Sequence, residues 1–157
     1  MHGITPCLWF NDNAEEAVAF YLSIFPNSRV VETSYYGKAG PGPEGGVMAM
    51  SFVLNGREFM ALNGGPQYSF TPAVSFVVQC DSQKDIDCYW DKLSNGGQAQ
   101  PCGWLADRFG VSWQIVPTEL IEMMRSSDAK RVRNLTKAML GMSKLDIVEL
   151  QAAFDQD

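Results

Sequence analysis

Histidine is nearly absent from this chain, whose 157 residues include a single one, His2. Histidine is the most common general base and metal ligand in proteins. A Ser-His-Asp or Cys-His catalytic group would have to use His2, and a metal site built from several histidines is excluded within one chain. A carboxylate site for Mg²⁺ or Mn²⁺ stays open, since such a site needs only oxygen ligands.

Long apolar runs and a surplus of positive charge are also lacking. No apolar stretch approaches the roughly 20 residues of a membrane helix, and residues 1–6 lack the basic and apolar segments of a signal peptide. The net charge of −6 argues against a protein that binds nucleic-acid backbones, because such a protein needs a basic surface. We therefore expect a cytoplasmic protein without a membrane or nucleic-acid partner.

Cysteine pairs of the kind that bind zinc or form a redox dithiol are missing as well. The four cysteines are Cys7, Cys80, Cys88 and Cys102. No two of them form a C-x-x-C motif, and their spacings are irregular. We expect reduced thiols that serve as small core residues.

The first half of the chain predicts a strand, a helix and three further strands. Asn13 and Glu16 match a capping box at the start of an amphipathic helix, which Pro26 ends. Asn55-Gly56 is a strong signal for a two-residue hairpin turn. The predicted strands are residues 4–10, 29–36, 47–54 and 58–62.

The glycine- and proline-rich residues 37–46 predict a flexible loop between two of these strands. The loop contains a literal G-x-G-x-x-G at Gly40, Gly42 and Gly45. That motif binds dinucleotides only where it opens a helix, whereas prolines interrupt this loop and a strand follows it. A long hairpin loop and a mobile lid over a pocket are both open interpretations.

The second half repeats the order of the first. Ser82, with Asp85 three residues later, predicts the start of a helix, and Asn-Gly-Gly at residues 95–97 predicts its end. The predicted strands are residues 73–80, 98–101, 104–107 and 111–116.

Two similar halves predict an α+β fold of two βαβββ modules, at residues 4–65 and 73–117. We expect them to pair in one domain over residues 1–117, and residues 118–157 to form a helical C-terminal extension of the same domain.

The extension predicts three helices with their own capping residues. Thr118 can begin the first, Ser127 or Asp128 the second, and Ser143 with Asp146 the third. The extension could cover a sheet edge or carry a dimer contact. Four cations lie at helical spacing, as on a solvated helix face or an anion-binding patch: Lys130, Arg131, Arg133 and Lys137.

Several motifs along the chain occur together in one family, and they lie at residues 6–10, 14–17, 20–21, 59–66, 102–105 and 107–117. In this order they resemble the PhnB-like proteins of the vicinal oxygen chelate (glyoxalase/bleomycin-resistance/dioxygenase) superfamily. That group carries the label 3-demethylubiquinone-9 3-methyltransferase-like. The resemblance covers nearly the whole chain and implies the paired βαβββ fold.

The resemblance also implies where a metal would bind, because the superfamily places one ligand on the first and fourth strand of each module. Those places fall near Pro6, Ala61, Ser75 and Gln114, with Asn63 as an alternative to Ala61. Proline and alanine side chains cannot coordinate a metal, and a neutral serine and an amide are poor ligands. We therefore expect neither a metal nor another cofactor.

What remains at these positions suits a pocket for a small molecule. Fixed polar groups among apolar walls are typical of such pockets. The predicted ligand-binding residues are Gln114, Ser75, Asn63, Trp104, Trp9 and Asp107. Phe52 and Trp113 could supply further walls, although tryptophans in strands are also common core residues.

These observations support two hypotheses about function. The first is a metal-independent small-molecule-binding protein of the PhnB-like group that forms a homodimer. The second is an enzyme, either a methyltransferase as the family label says or a metal-dependent glyoxalase/dioxygenase-type enzyme. Asp107, Ser75 and Cys102 would then be the groups to test. The chain lacks the glycine-rich strand-to-helix loop that binds S-adenosylmethionine in most methyltransferases, and its catalytic residues and substrate stay unassigned.

Overall fold

A computed structural model describes residues 3–156, so the candidate base His2 lies outside the described residues. The chain divides into two compact units, with the boundary between Phe70 and Thr71. No helix within residues 3–156 has the length and apolar character needed to span a bilayer.

The first unit is a βαβββ module with one four-stranded sheet. Its strand order is β1-β4-β3-β2, in which β1 runs parallel to β4 and the other pairs are antiparallel. The elements are β1 (Cys7–Phe10), α1 (Ala14–Ile24), β2 (Arg29–Tyr35), β3 (Val47–Leu54) and β4 (Arg57–Asn63).

The second unit repeats this topology with strand order β5-β8-β7-β6, and β5 is parallel to β8. The predicted α+β fold of two βαβββ modules is therefore confirmed, although β1 and β5 begin later than expected, at Cys7 and Ser75. The elements are β5 (Ser75–Cys80), α2 (Gln83–Ser94), β6 (Gln98–Ala99), β7 (Trp104–Ala106) and β8 (Ser112–Pro117).

Each sheet buries one face under its helix. In the first unit α1 packs on β3 and β4, where the rings of Phe52 and Phe59 stack at 5.6 Å. In the second unit α2 packs on β5, β7 and β8. There Ile115 and Leu105 are buried, and Trp113 contacts Phe76 with ring centroids 5.4 Å apart. Because side chains alternate along a strand, the opposite face of each sheet is left uncovered by its helix.

Of the predicted turns and helix caps, the Asn55-Gly56 turn and the Ser82 cap are confirmed and the Asn13 cap is wrong. Asn55 and Gly56 both have positive φ, 47° and 79°, as a type I′ hairpin requires, so this prediction is confirmed. Ser82 caps α2 as predicted, since its Oγ accepts a hydrogen bond from the Asp85 N–H at 3.2 Å. The capping box at Asn13 is wrong, because the side chain of Asn13 makes no cap hydrogen bond. Asn63 Oδ1 instead accepts from the first N–H of α1.

The extension forms three helices, α3 (Thr118–Met123), α4 (Ala129–Leu140) and α5 (Ile147–Phe154). Asp128 and Asp146 cap α4 and α5, so the predicted role of Ser143 as a cap is wrong. The helices share a small apolar core, and they pack within the second unit. That core consists of Leu120, Met123, Leu135, Leu145 and Leu150.

Hydrogen bonds attach the extension to the second module. Gln83, at the start of α2, donates to the Leu145 carbonyl at 3.1 Å and accepts from the Ile147 N–H at 2.9 Å. The N–H groups of Cys102 and Gly103 donate to carbonyls of residues 142 and 143. The extension is thus a packed part of this unit, while the assignment of both modules to one domain stays a prediction.

Candidate functional site

Ser75 and Gln114 meet on the face of the second sheet that α2 leaves uncovered. Gln114 Nε2 donates to Ser75 Oγ at 2.9 Å, and both side chains are half-buried. Trp104 lies directly opposite Gln114 on the neighbouring strand, and Val77 lies beside it on the other. The structure therefore brings three of the predicted site residues together, which are Ser75, Gln114 and Trp104.

We define the open face of the second sheet by the strand residues that share the side of Gln114. The register places Trp113 and Ile115 on the opposite side, toward α2. The open face consists of Ser75, Val77, Gln79, Gln98, Trp104, Ala106, Ser112, Gln114 and Val116. Within it, Ser112 is buried and Val116 packs against the apolar core of the extension. None of the open-face side chains carries a formal charge. A ligand on this face would meet amide, hydroxyl, aromatic and aliphatic groups.

The Ser75–Gln114 hydrogen bond orients the amide and leaves it capacity for a ligand. A glutamine side chain has two N–H donors and one carbonyl acceptor. The bond to Ser75 uses one donor, so the second N–H and the carbonyl can meet polar atoms of a bound molecule. Trp104 offers a flat apolar surface at the same level of the sheet, and Val77 is 51% exposed.

Asp107, also predicted to bind ligand, is buried and hydrogen-bonded within the second unit. Its carboxylate is 3% exposed and organises the turn before β8. Asp107 Oδ1 accepts from the N–H groups of Phe109 at 2.8 Å and Val111 at 3.0 Å. Asp107 Oδ2 accepts from the indole N–H of Trp113 at 2.9 Å. The carboxylate holds the turn that leads into the strand of Gln114, and its contact with a ligand stays a prediction.

Asn63 is likewise buried and bonded within the first unit. Its Oδ1 accepts from the Ala14 N–H at 2.9 Å, and its Nδ2 donates to the Val47 carbonyl at 3.0 Å. These bonds join the end of β4 to the start of α1 and of β3. Asn63 also borders a cleft of about 430 Å³ in the first unit.

Sequence reasoning named Asn63 and a lid over a pocket as one interpretation of the loop, but it missed Tyr36, the residue that shapes this cleft. The Tyr36 hydroxyl donates to the Asn63 carbonyl, and the loop 37–46 wraps around the ring. A Cβ atom at Gly42 would lie 2.3 Å from the ring. The loop is closed by Tyr36–Gly46 and Gly45–Tyr36 backbone hydrogen bonds and leads into β3, as the hairpin interpretation expects. The tyrosine directly before a glycine-rich loop was the available signal.

Trp9 lies on the uncovered face of the first sheet, where its ring packs against the chain that follows β4. Its indole N–H donates to the Gly65 carbonyl at 2.9 Å. A Cβ at Gly64 would lie 2.4 Å from the ring, and Tyr68 meets the ring edge-on at 5.0 Å. Phe52 and Trp113, the other suggested walls, face their helices and are core residues.

The cysteines divide between core and surface. Cys80 is buried, Cys102 is half-buried, and Cys7 and Cys88 are exposed, so the expectation of core thiols is wrong for the last two. Burial, with the nearby carboxylates of Asp85 and Asp81, raises the pKa of the Cys80 thiol to about 11.

Iodoacetamide at pH 8 should alkylate Cys7 and Cys88 in the native protein and leave Cys80 unmodified. The thiolate is the reacting species, and a pKa near 11 lowers its population about 100-fold relative to an ordinary thiol. Peptide mass spectrometry over a time course measures each rate, and Cys80 should react faster as pH rises toward 11. All four thiols should react in urea. Equal native rates for Cys80 and Cys88 would contradict this assignment.

Comparison with known proteins places these features in a family. The sequence profile of the family described as 3-demethylubiquinone-9 3-methyltransferase matches residues 2–116. The chain belongs to this family. A solved structure described as a 3-demethylubiquinone-9 3-methyltransferase, PhnB protein, from Bacillus cereus is 39% identical and has a TM-score of 0.68. The match covers 74% of this chain and 100% of that chain, and it confirms the PhnB-like resemblance.

More distant solved structures share the fold alone. Protein PA1353 from Pseudomonas aeruginosa is 23% identical with a TM-score of 0.62, and the match covers 74% of this chain and 98% of that chain. The fosfomycin resistance protein FosX from Mesorhizobium loti is 14% identical with a TM-score of 0.58, over 80% of this chain and 99% of that chain. No match was found among the curated proteins.

The side chains of this family member do not fit the metal site of the wider superfamily. Ala61 lies on the helix-covered face of its sheet, so the uncovered positions of β4 are Glu58, Met60 and Leu62. In the second unit the matching positions hold the Ser75–Gln114 pair. Glu58, at the start of β4, is the one carboxylate among these positions, and none of them supplies an imidazole. Within residues 3–156, no group of three His, Cys, Asp or Glu side chains could hold a metal ion.

The family description also implies S-adenosylmethionine, and residues 3–156 show no recognisable binding place for it. Its usual cradle is a glycine-rich loop between a strand and a helix. The glycine-rich loop of this 3-demethylubiquinone-9 3-methyltransferase family member joins β2 to β3 and is filled by the ring of Tyr36. The residues present therefore do not form the glycine-rich strand-to-helix loop that would bind S-adenosylmethionine.

Proposed function

We propose that this chain binds a small uncharged molecule on the open face of its second sheet, without a metal, and works as a homodimer. The observation that carries the proposal is the Ser75–Gln114 hydrogen bond of 2.9 Å. A half-buried, fixed amide beside an aromatic ring is the arrangement that orients a ligand in a mostly apolar site. The family description supports a role in small-molecule chemistry.

The absence of charge on the open face favours an uncharged ligand. A charged group placed on half-buried apolar surface loses hydration and needs a partner of opposite sign. None of the nine open-face residues supplies one. A flat ring with carbonyl oxygens would stack on Trp104 and accept the second N–H of Gln114. The quinone ring named in the family description has this chemistry.

Titration with ubiquinone-0, the quinone ring without its isoprenoid tail, tests this proposal by isothermal calorimetry. Gln114→Ala should raise Kd about 5- to 10-fold, since one hydrogen bond contributes about 1 kcal/mol. Ser75→Ala should raise Kd less, about threefold, because the amide stays but loses its fixed orientation. Gln156→Ala, a matched glutamine at an exposed position, should leave Kd unchanged.

Chelator treatment separates this proposal from a metal-dependent enzyme. Binding should be the same before and after exhaustive treatment with EDTA. An unchanged Kd for Gln114→Ala would mean that the ligand binds elsewhere. Loss of binding with EDTA would mean that binding depends on a metal, as in a metal-dependent enzyme.

The family description supports a methyltransferase as the second candidate function. A methyltransferase must bind S-adenosylmethionine, and a ligand that binds the native state raises the melting temperature in proportion to the logarithm of its concentration over Kd. A rise with S-adenosylmethionine, together with transfer of its methyl group to a demethylated quinol, would establish the enzyme. No rise at saturating concentration favours the binding protein.

A further inference from the structure

The cleft of the first unit belongs to a different unit from the open face of the second sheet, and the proposed function leaves it without a role. Three stretches of chain line it, within residues 11–15, 36–47 and 63–67. All three lie in the first unit, so that unit alone forms the cleft. Its volume of about 430 Å³ falls in the range of about 300–1,000 Å³ that is typical of small-molecule sites.

Hydrogen bonds between the three stretches hold the walls of this cleft together. The N–H groups of Gly64 and Gly65 donate to the carbonyls of residues 10 and 11, at 2.9 and 3.1 Å. The hydroxyl of Tyr36 donates to the carbonyl of Asn63 and so ties the loop 37–46 to the end of β4. The cleft therefore has a defined shape before any ligand binds, which lowers the entropic cost of binding.

The walls of the cleft are poor in available hydrogen-bond donors. Prolines, which have no N–H group, occupy three of the lining positions: Pro41, Pro43 and Pro66. The N–H groups of Gly46, Gly64 and Gly65 already donate to backbone carbonyls. The side-chain nitrogen of Asn63 donates to the Val47 carbonyl at 3.0 Å. A ligand that brings its own donors suits this surface better than one that brings acceptors.

Both charged residues that line the cleft are acids, Asp12 and Glu15. Within residues 3–156 neither of them forms an ion pair, and no lysine or arginine lines the cleft. The first unit as a whole has six acidic and three basic residues, so its overall charge is also negative. A positively charged group in the cleft would meet two carboxylates for which no cation of the described chain competes.

Acids at the start of α1 also have a simpler role, because carboxylates there interact favourably with the helix dipole. Glu16 shares that role, since it lies in the same first turn, but it does not line the cleft. A helix start can attract an anion as well. Here the first N–H of α1 is taken by Asn63 Oδ1, and the two carboxylates of the cleft would repel an anion. Comparison with Glu16 therefore separates ligand binding from helix stability.

We propose that this cleft is a second binding site, which takes a small organic cation, a primary amine on a compact apolar body. The ammonium group has three donors and pairs with the carboxylates of Asp12 and Glu15. The apolar body packs on Tyr36, Val47 and the proline rings of the walls. This ligand class differs from the uncharged molecule proposed for the second unit, so the two proposals stand independently.

A divalent metal ion fits the cleft less well than an organic cation does. Ca²⁺ takes about six to eight oxygen ligands, and Mg²⁺ demands a nearly ideal octahedron. Within residues 3–156, Asp12 and Glu15 belong to no group of three side chains that could hold a metal ion. A metal ion would also leave the apolar walls and most of the volume without a contact.

Three ring compounds of similar size and different charge test the proposal: benzylamine, benzyl alcohol and benzoate. Each is titrated at low salt into the isotope-labelled full-length protein and followed by the amide NMR spectrum. Benzylamine should shift the amide signals of Gly46, Gly64 and Gly65. Its Kd should be at least about fivefold lower than that of benzyl alcohol, and added salt should reduce this difference. Benzoate should not bind.

Asp12→Asn and Glu15→Gln each remove one charge from the cleft with little change in side-chain shape. Each should raise the Kd of benzylamine at least about threefold, and the double variant should bind it no better than benzyl alcohol. Glu16→Gln is the matched control, with the same change of charge in the same helical turn, and should leave the Kd unchanged. The amide spectrum of each unliganded variant shows whether it is folded.

Several results would overturn this proposal. They are the absence of shifts, shifts confined to amides outside the cleft, equal affinity for benzylamine and benzyl alcohol, and an equal effect of Glu15→Gln and Glu16→Gln. Displacement of benzylamine by a lower concentration of Mg²⁺ or Ca²⁺ would assign the cleft to a metal ion instead. Ubiquinone-0, titrated into the same proteins, reports separately on the open face, so failure of one proposal is distinguished from failure of the other.

Discussion

Asp107→Ala should lower the free energy of unfolding by about 4 kcal/mol, because it leaves buried donors without an acceptor. The N–H of Val111 and the indole N–H of Trp113 both bond this carboxylate in the interior of the second unit. An unsatisfied buried donor costs about 1–3 kcal/mol, so the effects of two such donors combine. Urea denaturation followed by circular dichroism measures the change.

Asp107→Asn separates the two halves of this interaction. The amide oxygen can still accept from Phe109 and Val111, whereas the amide nitrogen would face the indole N–H of Trp113, donor against donor. The loss should therefore be intermediate, about 2 kcal/mol. The loss caused by Asp107→Asn should be smaller in a Trp113→Phe background, which lacks the indole N–H. A double-mutant cycle measures this difference.

Asp91→Ala is the matched control for Asp107, since Asp91 is exposed on α2. It should change stability by no more than about 0.5 kcal/mol. A cost below about 1 kcal/mol for Asp107→Ala would mean that water replaces the carboxylate and that the turn does not depend on it.

Local signals in the sequence predicted the fold because each acts over a few residues. The positive φ at Asn55 and Gly56 and the cap at Ser82 follow from side-chain chemistry at those positions. Asn13 looked equally clear and failed. The first N–H of α1, that of Ala14, donates to the side chain of Asn63 instead. Asn63 lies fifty residues after Asn13 in the chain. Long-range contacts of that kind leave no local pattern.

The candidate site was predictable only in part, because the face on which a side chain lies depends on strand register. Ser75 and Gln114 share a face because β5 and β8 align Val77 with Gln114, an alignment that family motifs indicate and residue patterns do not. Trp104 and Trp113 are near in sequence, yet they lie on opposite faces of the second sheet. A shift of one residue in the β7–β8 register would place both on the same face. The tryptophan that lies on the open face is therefore determined by the pairing of β7 with β8.

Gly97→Ala should lower the free energy of unfolding by about 3 kcal/mol or more. A steric conflict that the surroundings cannot relieve has an effect of this size. A Cβ at this position would lie 2.2 Å from the Ala106 carbonyl oxygen and 2.9 Å from the Asp107 Cα. Both atoms are backbone, at the end of β7 and in the turn that the Asp107 carboxylate holds. The chain must separate β6 from β7 or displace the turn, so this variant and Asp107→Ala disturb the same structure.

Two further glycines make the steric cause testable by chemical denaturation. Gly96 has a φ of 77° and its nearest neighbour at 3.4 Å is a side-chain atom of Arg108, so Gly96→Ala should lose about 1–2 kcal/mol through backbone strain. Gly141 has a φ of −86° and meets nothing closer than 3.5 Å, so Gly141→Ala should be neutral or stabilise by up to about 1 kcal/mol. The order of loss should be Gly97, Gly96, Gly141. Equal losses at Gly97 and Gly96 would point to backbone conformation, and a neutral Gly97→Ala would mean that β6 moves away from β7 at little cost.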